Sequence, residues 1–146
     1  MNPETRSRMM AGIGSKHTQP ELSIRQGLHA TGFRFRLHAA NLPGKPDLVL
    51  PKYHAAIFVN GCFWHGHNCH LFKMPSTRPE FWRQKIESNI HRGEIVGQQL
   101  SAEGWRIAII WECSLKGRSS IGIAAVILRI AEWLKGSGQF LDIRGA

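Results

Sequence analysis

Acidic residues are scarce in this sequence, which has 10 aspartates and glutamates against 19 lysines and arginines over 146 residues. Long apolar runs are missing too, and the polar N-terminus has no apolar segment of the kind that a secretion signal needs. Cysteine is limited to Cys62, Cys69 and Cys113, an odd number that cannot pair fully in disulfides. These absences argue against a membrane-spanning or secreted protein. We therefore expect a cytoplasmic protein in which clustered cysteines serve metal binding or catalysis.

The formal net charge of +9 makes a polyanion, most often a nucleic acid, the favoured partner. An acidic membrane surface fits less well, because the sequence has neither a basic amphipathic helix nor a lipidation motif. Residues 1–18 are polar and basic and include Arg6, so they form either an arm that binds phosphates or a tail without a role. The absence of a coiled coil or an obvious dimer strip favours a monomer.

Hydrophobic periodicity predicts one domain over residues 1–146, an α/β or α+β fold with a single mixed sheet flanked by helices on both faces. The predicted helices cover about Thr5–Ile13, Thr18–Ala30, Arg78–Leu100 and Ile121–Leu134, and the predicted strands cover Phe33–His38, Asp47–Leu50, Tyr53–Asn60 and Trp105–Trp111. The two strands around Pro51 are expected to form a hairpin. Thr18 and Glu21 have the spacing of a helix capping box. Residues 136–146 are expected to form a loose tail.

A set of soft ligands favours a zinc site. Its members are Cys62, His67, Cys69 and, far downstream, Cys113. Zinc is held by four such ligands in tetrahedral geometry, and a site closed by four protein ligands is structural. His65 and His70 compete with His67 for the histidine position, and buried thiols without a metal are the alternative.

Asp47 opens an apolar strand after a Gly-Lys-Pro turn, a position at which nucleases often hold Mg²⁺ through a carboxylate. A bound Mg²⁺ polarises the scissile phosphate and lowers the pKa of a bound water. The neighbouring strand, at Ile57–Val59, has no acid and no lysine of the kind that usually completes such a site. Asp47 is therefore either a turn acid without a catalytic role, or it works with another base, for which His65 is the obvious candidate.

Two further features each have a structural and a functional interpretation. Phe63 and Trp64, with Trp82 downstream, either pack around the metal site or act as an apolar wedge between DNA base pairs. Glu21 either caps its helix or brings an acid to a metal or water site. The residues alone do not decide between these alternatives.

With these motifs assembled, the sequence resembles the very short patch repair (Vsr) DNA mismatch endonuclease family. The matching motifs are T-R-S near Thr5, L-P-G-K-P-D ending at Asp47, I-F-x-x-G-C-F-W-H at Ile57–His65, H-x-C at His67–Cys69, L-F-K at Leu71–Lys73, T-R-x-E-F-W at Thr77–Trp82 and W-E-C at Trp111–Cys113. Together they cover roughly the first four-fifths of the chain, and the combination is far more specific than any single motif.

The resemblance implies a fold related to the PD-(D/E)xK restriction endonucleases, with a structural zinc. It also implies Mg²⁺-dependent nicking of double-stranded DNA on the 5′ side of the thymine in a T:G mismatch, the lesion left by deaminated 5-methylcytosine. Asp47 would bind Mg²⁺, and His65 would be the catalytic histidine that replaces the missing acid and lysine, with Glu21 nearby. The zinc ligands would be Cys62, His67, Cys69 and Cys113. The residues that would contact DNA are Phe63, Trp64, Trp82, Arg6 and Lys45.

The sequence departs from the family pattern at three positions. Val59 stands where a family member has a threonine that binds the metal through its backbone carbonyl, and a carbonyl survives this change. Asn60 and Gly66 stand where histidines can occur. Two other functions stay open, namely a less selective DNA-nicking nuclease linked to restriction or defence, and a zinc-containing DNA-binding module without catalysis.

Overall fold

A five-stranded sheet forms the centre of the protein in a computed structural model that describes residues 18–146. The strands are β1 (Arg36–Leu37), β2 (Leu48–Leu50), β3 (Ala55–Asn60), β4 (Arg106–Trp111) and β5 (Phe140–Ile143). The helices of this part of the chain are α1 (Gln19–Ala30), α2 (Pro79–Ala102) and α3 (Ile123–Lys135), with short 3-10 turns at Pro51–Tyr53 and Glu112–Ser114. The helical piece expected near Thr5–Ile13 and the basic arm with Arg6 lie outside the described residues.

The sheet is mixed, and its strand order follows the chain from β1 to β5. Strands β1, β2 and β3 pair antiparallel, so the hairpin expected around Pro51 is confirmed. Strand β4 pairs parallel with β3, and β5 pairs parallel with β4. Parallel neighbours need a crossover, and here α2 and α3 supply the two crossovers. The predicted single mixed sheet with flanking helices is therefore confirmed.

Alternate residues of the central strands face two separate apolar layers, as the period of a strand requires. One layer joins α1 and α3 to the first sheet face, and its strand members include Ala55, Ile57, Ala108 and Ile110. The other layer joins α2 to the opposite face through Leu100, Ala56 and Ile107. Because β3 is buried on both faces, its nearly continuous apolar sequence is explained.

The first helix begins as the capping pattern predicts. Thr18 is the N-cap, and its Oγ1 accepts a hydrogen bond from the Glu21 N–H at 3.4 Å. The Glu21 side chain does not complete a reciprocal capping box, because its carboxylate contacts Arg25 and His38. The first turn of α1 therefore places a buried acid beside the sheet.

The prediction of a loose tail over residues 136–146 is wrong, because Phe140–Ile143 forms β5. Its register with β4 runs from Ile107 opposite Phe140 to Ile110 opposite Ile143. Arg106 of β4 also donates hydrogen bonds to the carbonyl oxygens of Leu134 and Gly138. The strand covers an edge of β4 that would otherwise be unpaired, and it buries Ile143 completely.

None of the helices within residues 18–146 combines the length and the apolar character needed to cross a bilayer.

Two substitutions in β5 test this correction. Ile143→Ala removes a fully buried side chain and should lower the free energy of unfolding by about 2–5 kcal/mol. Phe140→Ala is the matched control, because Phe140 is 57% exposed and should change stability much less. Urea denaturation followed by tryptophan fluorescence measures both. Equal and negligible effects would mean that the segment is loose in solution.

Candidate active site and metal centre

Glu21, His38 and Asp47 form a cluster in which one ligand atom of each residue lies within 4.8 Å of the others. Glu21 comes from the first turn of α1, His38 follows β1, and Asp47 precedes β2. The antiparallel register of β1 and β2 continues to this point, since the His38 N–H donates to the Asp47 carbonyl oxygen at 3.1 Å. The β1–β2 pair and α1 therefore bring together three residues that are far apart in the sequence.

The Asp47 carboxylate is held against β3, where its Oδ2 accepts a hydrogen bond from the Val59 N–H at 2.7 Å. Burial raises the pKa of Asp47 to about 7, although the Val59 N–H opposes this rise, and the nearby Glu21 carboxylate adds to it. Two carboxyl groups close together in a poorly solvated place are destabilised when both are ionised. A divalent cation between them would remove that conflict.

Glu21 is almost completely buried, and it contacts two side chains that the sequence analysis did not assign to the site. Arg25 forms an ion pair with the Glu21 carboxylate from one turn further along α1. His38 Nε2 lies 3.2 Å from Oε1 and 3.1 Å from Oε2 of Glu21, and 3.3 Å from Arg25 Nη2. The spacing of four residues could have indicated Arg25. For His38, the sequence offered no comparable signal.

His65 lies in the loop that follows β3, and its ring is fixed by the backbone. Its Nδ1 lies 3.0 Å from the Gly61 carbonyl oxygen. A carbonyl only accepts, so Nδ1 carries the proton of the neutral ring and Nε2 is the acceptor. Burial lowers the pKa of His65, which favours this neutral form. His65 also lines a groove of about 490 Å³ between α2 and the sheet, together with Asn60 and Asn89.

Asp47 is held by β3 and His65 by the residue that follows that strand, and His65 is not a member of the Glu21–His38–Asp47 cluster. Asp47 is bonded to the Val59 N–H, and His65 is bonded to the Gly61 carbonyl two residues later. The end of β3 thus holds an acid on one side and a neutral imidazole in the following loop. The catalytic roles expected of Asp47 and His65 from the sequence stay predictions.

A second cluster brings together the predicted soft ligands. Its ligand atoms, from Cys62, His67, Cys69 and Cys113, all lie within 4.8 Å of one another. The parallel register explains the meeting, because Asn60 pairs with Trp111 and the chain leaves both strands at the same edge of the sheet. His67 joins this cluster, whereas His65 and His70 do not, so the structure selects among the three histidines.

The surroundings of the soft cluster are ordered by several contacts. The Cys62 N–H donates to Glu112 Oε1 at 3.3 Å, and the Gly145 N–H donates to Cys113 Sγ at 3.3 Å. The His67 ring stacks on Trp111 with centroids 4.1 Å apart. Burial raises the pKa of the Cys62 thiol, which is the expected state of a buried cysteine without a cation. The cluster is therefore preorganised and can hold a metal ion.

Phe63, Trp64 and Trp82 form an aromatic cluster next to the soft ligands. Their ring centroids are 5.2–5.8 Å apart and the rings meet edge to face. All three are only partly buried, and none of them belongs to either apolar layer of the sheet. The Asn89 side chain of α2 donates to the Trp64 carbonyl oxygen at 3.0 Å and attaches the loop to the helix.

Two other positions of interest lie on loops. Lys45 is exposed in the loop between β1 and β2, where its φ is +48°. Gly66 has φ +58°, and a Cβ there would lie 2.7 Å from Ile86 Cγ2. A side chain at residue 66 would therefore require α2 or the loop to shift, which glycine avoids.

Comparison with known proteins finds relatives along most of the chain. The sequence model of the family described as DNA mismatch endonuclease Vsr matches residues 1–71. The DNA mismatch endonuclease Vsr of Escherichia coli is 43% identical over 139 residues, which are 95% of this chain and 89% of that protein. The type II nicking enzyme V.XorIIP of Xanthomonas oryzae is 44% identical over 129 residues, 88% of this chain and 93% of that protein. The type II nicking enzyme V.NmeAIP of Neisseria meningitidis is 40% identical over 114 residues, which are 78% of this chain and 81% of that protein.

The assignment of His67 to the soft cluster predicts which histidine controls metal content. His67→Ala should reduce the metal bound per chain at least several-fold, because it removes one of four ligands. His70→Ala is the matched control and should leave the metal content unchanged, since His70 lies outside the cluster and its Nδ1 contacts Ser119 Oγ. Elemental analysis of protein purified without chelators measures both. The reverse pattern would contradict the assignment.

Proposed function

The chain belongs to the Vsr family of DNA mismatch endonucleases, and on that premise we propose that it nicks one strand of duplex DNA on the 5′ side of the thymine in a T:G mismatch. Such mismatches are left by deamination of 5-methylcytosine. The reaction would depend on Mg²⁺. The observation that carries this proposal is the cluster of Glu21, His38 and Asp47, in which the Val59 N–H of β3 holds the Asp47 carboxylate. Just after that strand, the Gly61 carbonyl oxygen holds the neutral His65 ring.

The acidic cluster fits a divalent cation. Its Glu21 and Asp47 oxygens are the hard ligands that Mg²⁺ prefers, and their closeness disfavours ionisation of both when no cation is present. Bound there, Mg²⁺ would polarise the scissile phosphate and lower the pKa of a bound water. The part of Asp47 is to hold its carboxylate toward that site, with its orientation fixed by the Val59 N–H.

Val59 is the second proposed ligand, through its backbone carbonyl. The N–H and the carbonyl of one strand residue point to the same edge of the strand. Because the Val59 N–H bonds Asp47, its carbonyl is expected on the Asp47 side of β3 as well. A backbone ligand does not depend on the side chain, so valine at this position is compatible with the proposal.

His65 is the proposed general base. The Gly61 carbonyl fixes Nδ1 as the protonated nitrogen, which leaves Nε2 to accept a proton from the attacking water. Burial lowers the pKa of His65, so the ring remains an acceptor at neutral pH. This would replace the acid and lysine of the PD-(D/E)xK nucleases, to whose sheet we propose that this one is related. Strand β3 has neither residue at Ile57–Val59.

The soft cluster fits zinc, which we propose as a structural ion. In a tetrahedral zinc site, Zn–S bonds are about 2.3 Å and Zn–N bonds about 2.0–2.1 Å long. These lengths put a ligating sulfur and a ligating nitrogen about 3.6 Å apart. The distance from His67 Nδ1 to Cys113 Sγ is 3.6 Å. Four protein ligands would leave no open position for substrate. The proposed zinc would fix the loop after β3 to the end of β4.

The partly exposed aromatic cluster supports a role in recognising the mismatch. Phe63, Trp64 and Trp82 would enter the base stack beside the T:G pair, where weaker pairing makes unstacking easier. Lys45 would contact the phosphate backbone from the loop between β1 and β2, and Arg6 would do so from the N-terminal arm. The net charge of +9 agrees with the phosphate contacts, whereas the aromatic rings would make the contacts to bases.

The alternative function is DNA nicking that does not require a mismatch, and the names of several relatives are compatible with it. Several relatives are named only as type II nicking enzymes, without reference to a mismatch. The same catalytic group without a discriminating wedge would nick well-paired DNA. Membership of an endonuclease family counts against the third possibility, a DNA-binding module without catalysis.

A nicking assay with two duplexes that differ only in one T:G or T:A pair tests the proposal. With Mg²⁺, the wild-type protein should nick only the T:G duplex, and EDTA should abolish nicking. Asp47→Ala should reduce nicking to background without loss of DNA binding, and His65→Ala should slow it by roughly 10²–10⁴-fold. Glu103→Ala, an exposed acid just after α2, is the control that should behave as wild type.

Equal nicking of both duplexes would support the less selective nuclease. Retained nicking by Asp47→Ala would refute the catalytic assignment, whichever duplex is cleaved.

Trp64→Ala tests the wedge separately. Loss of a stacking contact worth about 1–3 kcal/mol should lower the preference for T:G over T:A duplexes by about 5–150-fold, with a smaller change in affinity for matched DNA. Trp105→Ala is the matched control, because Trp105 stacks on His54 outside the aromatic cluster. Competition binding with the two duplexes gives the ratio directly. An equal loss of affinity for both duplexes in Trp64→Ala would mean that Trp64 serves general binding or folding.

A further inference from the structure

His38 is the unexpected member of the acidic cluster. Its Nε2 lies within 3.2 Å of both Glu21 carboxylate oxygens, and the three ligand atoms of Glu21, His38 and Asp47 lie within 4.8 Å of one another. Its backbone is fixed, because the His38 N–H donates to the Asp47 carbonyl oxygen at 3.1 Å. The side chain is 18% exposed, so the cluster is reachable from solvent on this side.

We propose that His38 supplies a nitrogen ligand to the divalent cation held by Glu21 and Asp47, and that this nitrogen makes the site select Mn²⁺ over Mg²⁺. The proposal rests on the proposed function in that it takes the cluster to be the cation site. It goes beyond that function by naming a third side chain and a preferred class of metal.

The chemistry of the donor set gives the selectivity. Mg²⁺ strongly prefers oxygen ligands and gains little from imidazole, whereas imidazole nitrogen suits first-row transition metals. Two carboxylates alone would bind both ions as hard ligands and discriminate weakly. Adding the His38 nitrogen strengthens binding of first-row divalent metals relative to Mg²⁺, and Mn²⁺ is the member of that series that shares the preference of Mg²⁺ for carboxylate oxygens.

The distances are compatible with ligation by adjacent groups on one ion. Neighbouring ligands of an octahedral ion with bonds of about 2.1 Å are about 3 Å apart. The separations of His38 Nε2 from the two Glu21 oxygens are 3.1 and 3.2 Å. Arg25 Nη2 lies 3.3 Å from the same nitrogen, and since a guanidinium can only donate, Nε2 is an acceptor in this contact. A bound cation would replace Arg25 at that lone pair.

A direct hydrogen bond from His38 to Glu21 is the competing explanation of the same distances. In that arrangement, His38 orients Glu21 and never touches the metal. The two explanations differ in one respect that can be measured, which is whether a histidine nitrogen is bound to the cation.

Metal binding to the full-length, zinc-loaded protein without DNA tests the proposal. In calorimetric titrations, the wild-type protein should bind Mn²⁺ at least tenfold more tightly than Mg²⁺. His38→Gln should weaken Mn²⁺ binding about tenfold or more and change Mg²⁺ binding by less than about threefold. The matched control is His29→Gln, an exposed histidine in the last turn of α1, which should leave both affinities unchanged.

Pulsed electron paramagnetic resonance of the Mn²⁺-loaded protein provides a second measurement. Wild type should show modulation from a bound imidazole ¹⁴N nucleus, and His38→Gln should lose it. Unchanged modulation and unchanged Mn²⁺ affinity in His38→Gln would overturn the proposal and leave His38 as a partner of Glu21. If Mn²⁺ and Mg²⁺ bind equally well to wild type and to Asp47→Ala, the cluster is not the cation site, and the metal assignment of the proposed function fails instead.

Discussion

The pairing of β3 with both of its neighbours, parallel with β4 and antiparallel with β2, is the constraint on which both candidate sites depend. Six consecutive residue pairs, from Ala55 with Arg106 to Asn60 with Trp111, bring the ends of the two strands to one edge of the sheet. Cys62 and Cys113 leave the strands there and meet, although they are 51 positions apart in the sequence. On its other side, β3 pairs with β2 and gives the Val59 N–H to Asp47. Strand β3 therefore borders both clusters, since it holds Asp47 of the acidic cluster and leads into Cys62 of the soft cluster.

The two clusters represent opposite solutions to burying charged groups. In the acidic cluster, Glu21 is neutralised partly by Arg25, yet Asp47 remains poorly solvated, and its raised pKa records that imbalance. In the soft cluster, buried thiols are held close together by backbone hydrogen bonds and by the stacking of His67 on Trp111. In both clusters, a bound cation would offset the cost of holding several ligand groups close together in a poorly solvated place. The first is partly exposed, as exchange of ions and substrate requires, and the second is enclosed, as a structural ion requires.

Much of this arrangement could be predicted from the sequence, because the signals were local or chemically distinctive. Apolar runs revealed β3 and β4, and the scarcity of cysteine made the four soft ligands easy to propose. The strand β5 was missed because Phe140–Ile143 is short and follows a Gly-Ser-Gly segment, so its pairing energy comes from β4 rather than from its own sequence. His38 was missed for a related reason. His38 and Glu21 are 17 positions apart in the sequence and meet only because α1 packs beside the β1–β2 pair. No pattern in a single sequence predicts such a contact.

The loop between Cys62 and His67 would link the proposed recognition of DNA to the proposed catalysis. Phe63, Trp64 and His65 occupy consecutive positions between two of the soft ligands. With a metal bound, both ends of this segment would be fixed, so a side chain that enters the base stack loses little conformational freedom on binding. His65 is further fixed through Gly61, and Trp64 through Asn89 of α2. If Trp64 inserts only beside a weakened base pair, its insertion would also bring His65, the proposed general base, to the DNA. The reason is that Trp64 and His65 are neighbours in one segment that would be fixed at both ends. On the proposed function, selectivity for a mismatch would arise from the stiffness of the loop as much as from the aromatic rings themselves.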